Sequence, residues 1–340
     1  MKKFKISSVH LSVLFFIFTL SAVHPGSAGQ KIIGLSHYWM GNEYNMNGNK
    51  ILTQAFTKTG YKVFTLNANG NSAKQVTHVK TFIDKKVSGI VIFGGVGNKF
   101  GEISMKAWEA NIPLICHMMF LPGALTSIVH DNWEGSTKIS VWLANQMHGY
   151  GKYIVLDQPG WHIAEIRMRA MEDVMRWFPN IKRGADPYII NFNDPVGASY
   201  TFTKTAIQEI PDLKGVFCIW GMPLIGAIKA IREMGKGDQI AVAGTDTDKP
   251  VLNLMAQKDA PRTAVVGHPQ DISAHTAVKL LSKALEYKNV QEAREHLPAV
   301  AVIDIAFTSN TDPKNEFKPR AVLTLDEAWE FFHHGSKRPW

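Results

Sequence analysis

Of the 340 residues, 45% are hydrophobic, and the formal net charge is +8. That composition is globular and excludes a disordered or low-complexity chain. Part of the charge sits at the two ends (Lys2, Lys3, Lys5, Lys337, Arg338) and the rest is scattered, so no basic stripe points to nucleic acid.

The chain opens on a basic start followed by an apolar run from Val9 to Val23, which Pro25 and Gly26 break. Gly26, Ser27 and Ala28 supply the small residues of a cleavage site, so residues 1–28 are expected to be a removed secretory signal. The run is shorter than the roughly 20 residues needed to span a bilayer. No cysteine lies near the cut, so the expected product is free in the periplasm rather than lipid-anchored.

Short apolar runs then alternate with amphipathic stretches. KIIGLS (31–36), YKVFTLN (61–67), GIVIFGG (89–95), IPLICHM (112–118) and SIVHDN (127–132) read as strands, separated by helical patterns at 49–59, 73–86 and 102–110. The pattern begins again with a helix at 133–147 and strands KYIVLD (152–157), DPYIINF (186–192), GVFCIW (215–220), QIAVAGTD (239–246) and RTAVVGH (262–268). A long helix (269–287) leads to PAVAVIDIAF (298–307), which is expected to carry the chain back between lobes; a short helix is expected near 325–333. Alternation of this kind predicts an α/β fold of two doubly wound parallel-sheet lobes. In such sheets ligands sit outside the carboxyl ends of the strands, so the residues just after each strand are the binding candidates.

The two cysteines, Cys116 and Cys218, fall in strand runs of different halves and are expected to stay apart as buried thiols. His37, His117 and His268 stand at strand ends, but without paired ligand spacing they read as structural or ligand-contacting rather than metal-binding. GGVGNKFG (94–101) lacks the ending of a phosphate-binding loop and reads as a tight strand-to-helix turn. Asp157 and Glu165 could exchange protons, yet no nucleophile or metal constellation accompanies them, so no catalysis and no cofactor are expected. Trp39, Trp161 and Trp220 follow strands and are placed in a cleft, whereas Trp142, Trp177 and Trp329 lie on helical patterns.

ANIPLI (110–115), HDN (130–132), RMRAMEDV (167–174), AGTD (243–246) and VVGHP (265–269), in that order and spacing, resemble the ribose-type family of periplasmic sugar-binding proteins over roughly residues 31–307. The resemblance implies lobes of 29–131 plus 269–300 and of 132–268 plus 301–340. It also implies a three-segment hinge near Asp131, His268 and Ile303. Carried over position by position, the ligand residues after the first strand would be Ser36, His37, Trp39, Glu43 and Tyr44. The family's arginine falls on Arg169 and its aspartate on Asp246; such a pair can hold hydroxyl groups through charged hydrogen bonds. This chain departs from the pattern at Met118 and Met119, at Trp220, at Gly94, and at Gly267 or His268. The departures make the cleft more aromatic and thioether-lined, suited to a sugar's apolar face, a flat heterocycle or an alkylated cation. The resemblance implies a monomeric solute-binding protein of an ABC importer that captures a small sugar, polyol or related compound. The alternative partner is a membrane histidine kinase or chemoreceptor reading the same closed form.

Overall fold

A computed structural model describes residues 31–311 and the backbone of 322–323. The expected signal segment and the expected terminal helix lie outside the described residues.

The first half runs β1 (Ile32–His37), α1 (Glu43–Lys58), β2 (Lys62–Asn67), α2 (Ser72–Asp84), β3 (Gly89–Phe93), α3 (Ile103–Glu109), β4 (Leu114–His117) and β5 (Thr126–His130). The second continues through α4 (Asn132–Gln146), β6 (Tyr150–Asp157), α5 (His162–Arg176), β7 (Asn180–Arg183), β8 (Tyr188–Ile189), α6 (Pro195–Glu209), β9 (Leu213–Cys218), α7 (Gly221–Glu233), β10 (Ala241–Thr245), α8 (Lys249–Met255) and β11 (Thr263–Gly267). The described residues end with α9 (Gln270–Ala284), α10 (Val290–His296), β12 (Val300–Ile303), β13 (Ala306–Ser309) and β14 (Val322–Leu323).

Two sheets result, ordered β12-β5-β4-β3-β1-β2 and β14-β13-β11-β10-β9-β6-β7. In the first sheet every pairing is parallel; in the second, β13 lies antiparallel to β11. Helices cover both faces, so central strands are apolar without alternation: β3, β10 and β11 are buried at every position. Among the described residues the chain passes between sheets three times, after His130, after Gly267 and between Ile303 and Ala306. The run PAVAVIDIAF is therefore two strands in two sheets, with 300–303 remaining in the first. Each sheet packs its own core: Ile33, Leu52, Phe56 and Leu281 in one, Val155, Val216, Phe217 and Ile228 in the other.

Cys116 on β4 and Cys218 on β9 are free and buried in different sheets, and burial pushes both thiols up. The glycine-rich run after β3 forms the expected turn. Gly94 (φ 66°) and Gly95 (φ 138°) occupy backbone regions that favour glycine, and a Cβ on Gly95 would fall 2.3 Å from Gln75 Oε1.

Candidate ligand-binding site

The strand ends of the two sheets meet at a cavity of about 60 Å³ lined from both halves. From the first half come the β1–α1 loop and the start of α1, with Tyr38, Trp39, Asn42, Tyr44 and Asn45, together with Phe93 and Met118 after β3 and β4. Asn42 caps α1 by accepting the Asn45 backbone N–H at 3.0 Å, which fixes how the loop enters the helix. From the second half come Trp161 and Ile163 at the start of α5, Arg167 one turn on, Trp220 before α7 and Asp246 after β10.

Six of these lining residues are aromatic, and four of them touch across the two halves. Trp39 lies 5.7 Å from Trp220, with the rings at 90°. Tyr38 meets Trp161 edge-on at 5.7 Å. Phe192, behind the wall, contacts Trp161 at 5.1 Å and Trp220 at 5.7 Å. Among the described residues, the indole N–H groups of Trp161 and Trp220 are buried without an acceptor.

The charged part of the wall is a tightly bonded set. Arg167 is 1% exposed: its Nε donates to Asn132 Oδ1 at 2.8 Å, and its Nη1 donates to Ile219 O at 2.7 Å and Thr245 Oγ1 at 2.8 Å. Its Nη2 lies 3.4 Å from His268 Nε2. Asp246 accepts the Gly221 N–H at 3.0 Å, placing its carboxylate at the positive end of α7. Burial alone would raise the Asp246 carboxyl, but the His268 ring beside it and the Arg167 charge outweigh that and hold it below the usual range. His268 is itself pushed down, by burial first and then by Arg167.

Two cavity residues hold unusual backbone: Met118 (φ 61°) and Asp246 (φ 79°) are non-glycine residues in the left-handed region. Both immediately follow strands and face the cavity from opposite halves. Such backbone costs free energy and persists where the surroundings over-determine it, as binding sites do.

The structure assembles part of the sequence-derived set and corrects the rest. Trp39, Tyr44, Met118, Trp161, Trp220 and Asp246 all line the cavity. Arg169 does not: it is exposed, and Arg167 takes its place. The inward stripe of α5 is Ile163, Ala164, Arg167, Ala170, Met171 and Val174, and two residues along a helix is about 200° of rotation. Met119 is fully buried in a separate apolar cluster of the first half, with Phe82, Ile92 and Phe100. Ser36 bonds His78 Nδ1 at 3.0 Å beneath the sheet, and His37 packs on Phe93 with centroids 5.0 Å apart, so neither reaches the cavity. Glu43 instead bridges the halves, its Oε2 accepting the Lys249 backbone N–H at 3.3 Å. His268 stands behind Asp246 and lines a smaller neighbouring cavity of about 20 Å³ with Gln270.

Sequence reasoning missed Tyr38, Asn42, Asn45, Phe93 and Arg167. The signal for Asn42 was its cap position before Glu43, and the signal for Arg167 was the helical stripe. Asp157 and Glu165, the candidate proton-exchanging pair, accept the Gln158 and Gly160 backbone N–H groups and serve a local turn.

A second polar cluster sits where the chain changes sheets. His130 Nε2 lies 3.2 Å from the Tyr44 hydroxyl and 3.1 Å from Ser273 Oγ, and its ring is 4.7 Å from His268. Burial lowers His130 well below its ordinary value, helped by the neighbouring His268 and His117. Among the described residues, no group of three histidine, cysteine or acidic side chains is arranged to hold a metal ion.

Residues 33–289 match the family described as periplasmic binding protein domain. The ribose import binding protein of Bacillus subtilis is 24% identical over 302 residues, spanning 85% of this chain and 95% of the relative. The D-apiose import binding protein of Paraburkholderia graminis is 25% identical over 257 residues, spanning 74% and 80%. Among solved structures, the 5-methylthioribose transporter solute binding protein of Thermotoga lettingae superposes with TM-score 0.77 at 20% identity, covering 91% of this chain and 93% of that one. An ABC transporter solute binding protein of Agrobacterium vitis with bound allitol also gives TM-score 0.77 at 20% identity, covering 83% and 96%. The chain belongs to the periplasmic binding protein domain family.

Proposed function

We propose that this chain is the periplasmic solute-binding protein of an ABC importer and captures a small sugar, polyol or related compound between its lobes. The observation that carries the reading is one cavity holding the Asp246–Arg167 pair between aromatic residues of both halves. The carboxylate and the remaining guanidinium N–H suit hydroxyl groups, and the rings suit the apolar face of a small carbon skeleton. The charges of Asp246 and Arg167 offset one another, which favours a neutral ligand. The ligands named for relatives (ribose, D-apiose, allitol, 5-methylthioribose) are of that kind.

Ligand entry would bridge the two halves and shift the open–closed equilibrium toward closed, with the three passages as the hinge. The permease would read the closed form. Residues 1–28 would direct export, and the mature protein recovered from the periplasm should begin at Gly29.

A thermal-shift screen tests the ligand class, because a ligand that binds only the folded state raises the melting temperature. At least one sugar or polyol is expected to stabilise the protein. Stabilisation by amines, purines or aromatic acids, with none by sugars and polyols, would overturn the assignment.

A further inference from the structure

Trp39 lies beside Tyr38, whose ring also meets two rings of the second half, Trp161 at 5.7 Å and Phe192 at 6.1 Å, but of the two it is Trp39 that reaches Trp220. It belongs to the first half, on the loop between β1 and α1, yet its ring lies against two rings of the second: Trp220 at 5.7 Å and Phe192 at 5.9 Å. Both contacts are edge-on, at 90° and 67°, so the indole stands as a wall across the cavity rather than as one slab of a stack. Trp220 is 3% exposed and packed in the second core, so it forms a fixed surface for that wall to meet.

The loop sequence is built for this placement. A Cβ at Gly41 would fall 2.0 Å from Trp39 Cζ2 and 2.3 Å from Cε2. The indole therefore occupies the space that any other residue at position 41 would claim, folding back over its own loop toward the second half. Glycine at 41 is a requirement of the Trp39 rotamer rather than of the backbone turn.

We infer that Trp39 is the size-selecting residue of the pocket and that Gly41 is the positioning residue that lets it act. Because Trp39 and its two contacts come from opposite halves, the wall is complete only when the lobes are closed. A ligand that keeps Trp39 from reaching Trp220 and Phe192 leaves the lobes apart and is not presented to the membrane partner. Selection thus acts on closure, and it confines the ligand to the cavity beside Asp246. The inference takes its site from the function proposed above, but not its ligand chemistry.

The test uses the full mature chain and probes graded by size within two classes. D-ribose, myo-inositol and sucrose form one series; trimethylamine N-oxide, choline and carnitine form the other. Binding is read by thermal shift and titration calorimetry for the wild type, Trp39→Ala, Trp39→Phe and Gly41→Ala. The wild type is expected to bind only the compact members of one series. Trp39→Ala should lose at least tenfold in affinity for these and gain binding of the next larger member. Gly41→Ala should shift the size ranking in the same direction, and Trp39→Phe should fall between the two. An unchanged size ranking in Trp39→Ala overturns the inference, whichever series binds. Binding only in the second series sinks the sugar reading while leaving Trp39 under test. If no probe binds any variant, small-angle scattering of the ligand-free proteins decides. A larger radius of gyration for Trp39→Ala and Gly41→Ala than for the wild type supports the wall, and equal radii overturn it.

Discussion

The two halves of the pocket are built on different principles. The second half is an anchor: Arg167, Trp220 and Asp246 are tied to α7, β10 and the core by short hydrogen bonds and close packing. The first half is a reader: Tyr38, Trp39 and Asn42 sit on a loop, and Tyr44 on the first turn of a helix. Rigid elements place polar groups to within a fraction of an ångström, whereas a loop can swing rings onto whatever the anchor holds. The contrast predicts that damage to the second half costs stability as well as binding, while damage to the first half costs selectivity.

Arg167→Ala should break that contrast most severely. It strips partners from Asn132, the Ile219 carbonyl and Thr245 and leaves Asp246 without its counter-charge, so a loss of about 3–5 kcal/mol is expected in urea unfolding. Asp246→Ala should weaken ligand binding by on the order of 2–4 kcal/mol in titration calorimetry, since the carboxylate is desolvated in the closed cavity.

Acid should act through buried histidines. Burial lowers His37 from 6.5 to about 4 and, with the neighbouring His37 and His268 rings, His117 from 6.5 to about 3. Both rings are neutral in the folded protein and take up protons more readily when it unfolds. Stability is therefore full above pH 6.5 and falls as pH drops toward 4 and then 3, by about 1.4 kcal/mol per pH unit for each ring. Urea unfolding between pH 7 and 4.5 measures the slope, and His117→Leu should flatten it.

Smaller effects sharpen the contrast. Glu43→Ala removes the acceptor for the Lys249 N–H across the halves and should cost about 0.5–1.5 kcal/mol of ligand affinity with little change in unfolding. Arg169→Ala, on the exposed side of α5, should alter either quantity by less than about 0.5 kcal/mol.

The architecture was legible because its causes are local and repeated: apolar strand runs, amphipathic helices and glycine stops recur in one order through the chain. Asp246, Trp220 and Trp161 were legible for the same reason, since the end of a parallel strand is where such sheets bind. Arg167 was misread as Arg169 because positional matching to a family ignores helix phase, and phase decides which of two nearby arginines turns inward. Ser36 and His37 were misread because β1 is buried on both faces, so Ser36 bonds His78 and His37 packs on Phe93 instead of reaching the cleft. Met119 lost to Met118 through a single backbone angle at 118 that strand alternation does not predict.

A crystal structure of the protein with the solute it carries from the cell tests the central claim most directly. The account predicts density in the cavity between Asp246 and the rings of Trp39 and Trp220, with Arg169 in solvent. Density elsewhere, or a ligand held by Arg169 while Asp246 stands clear, would contradict it.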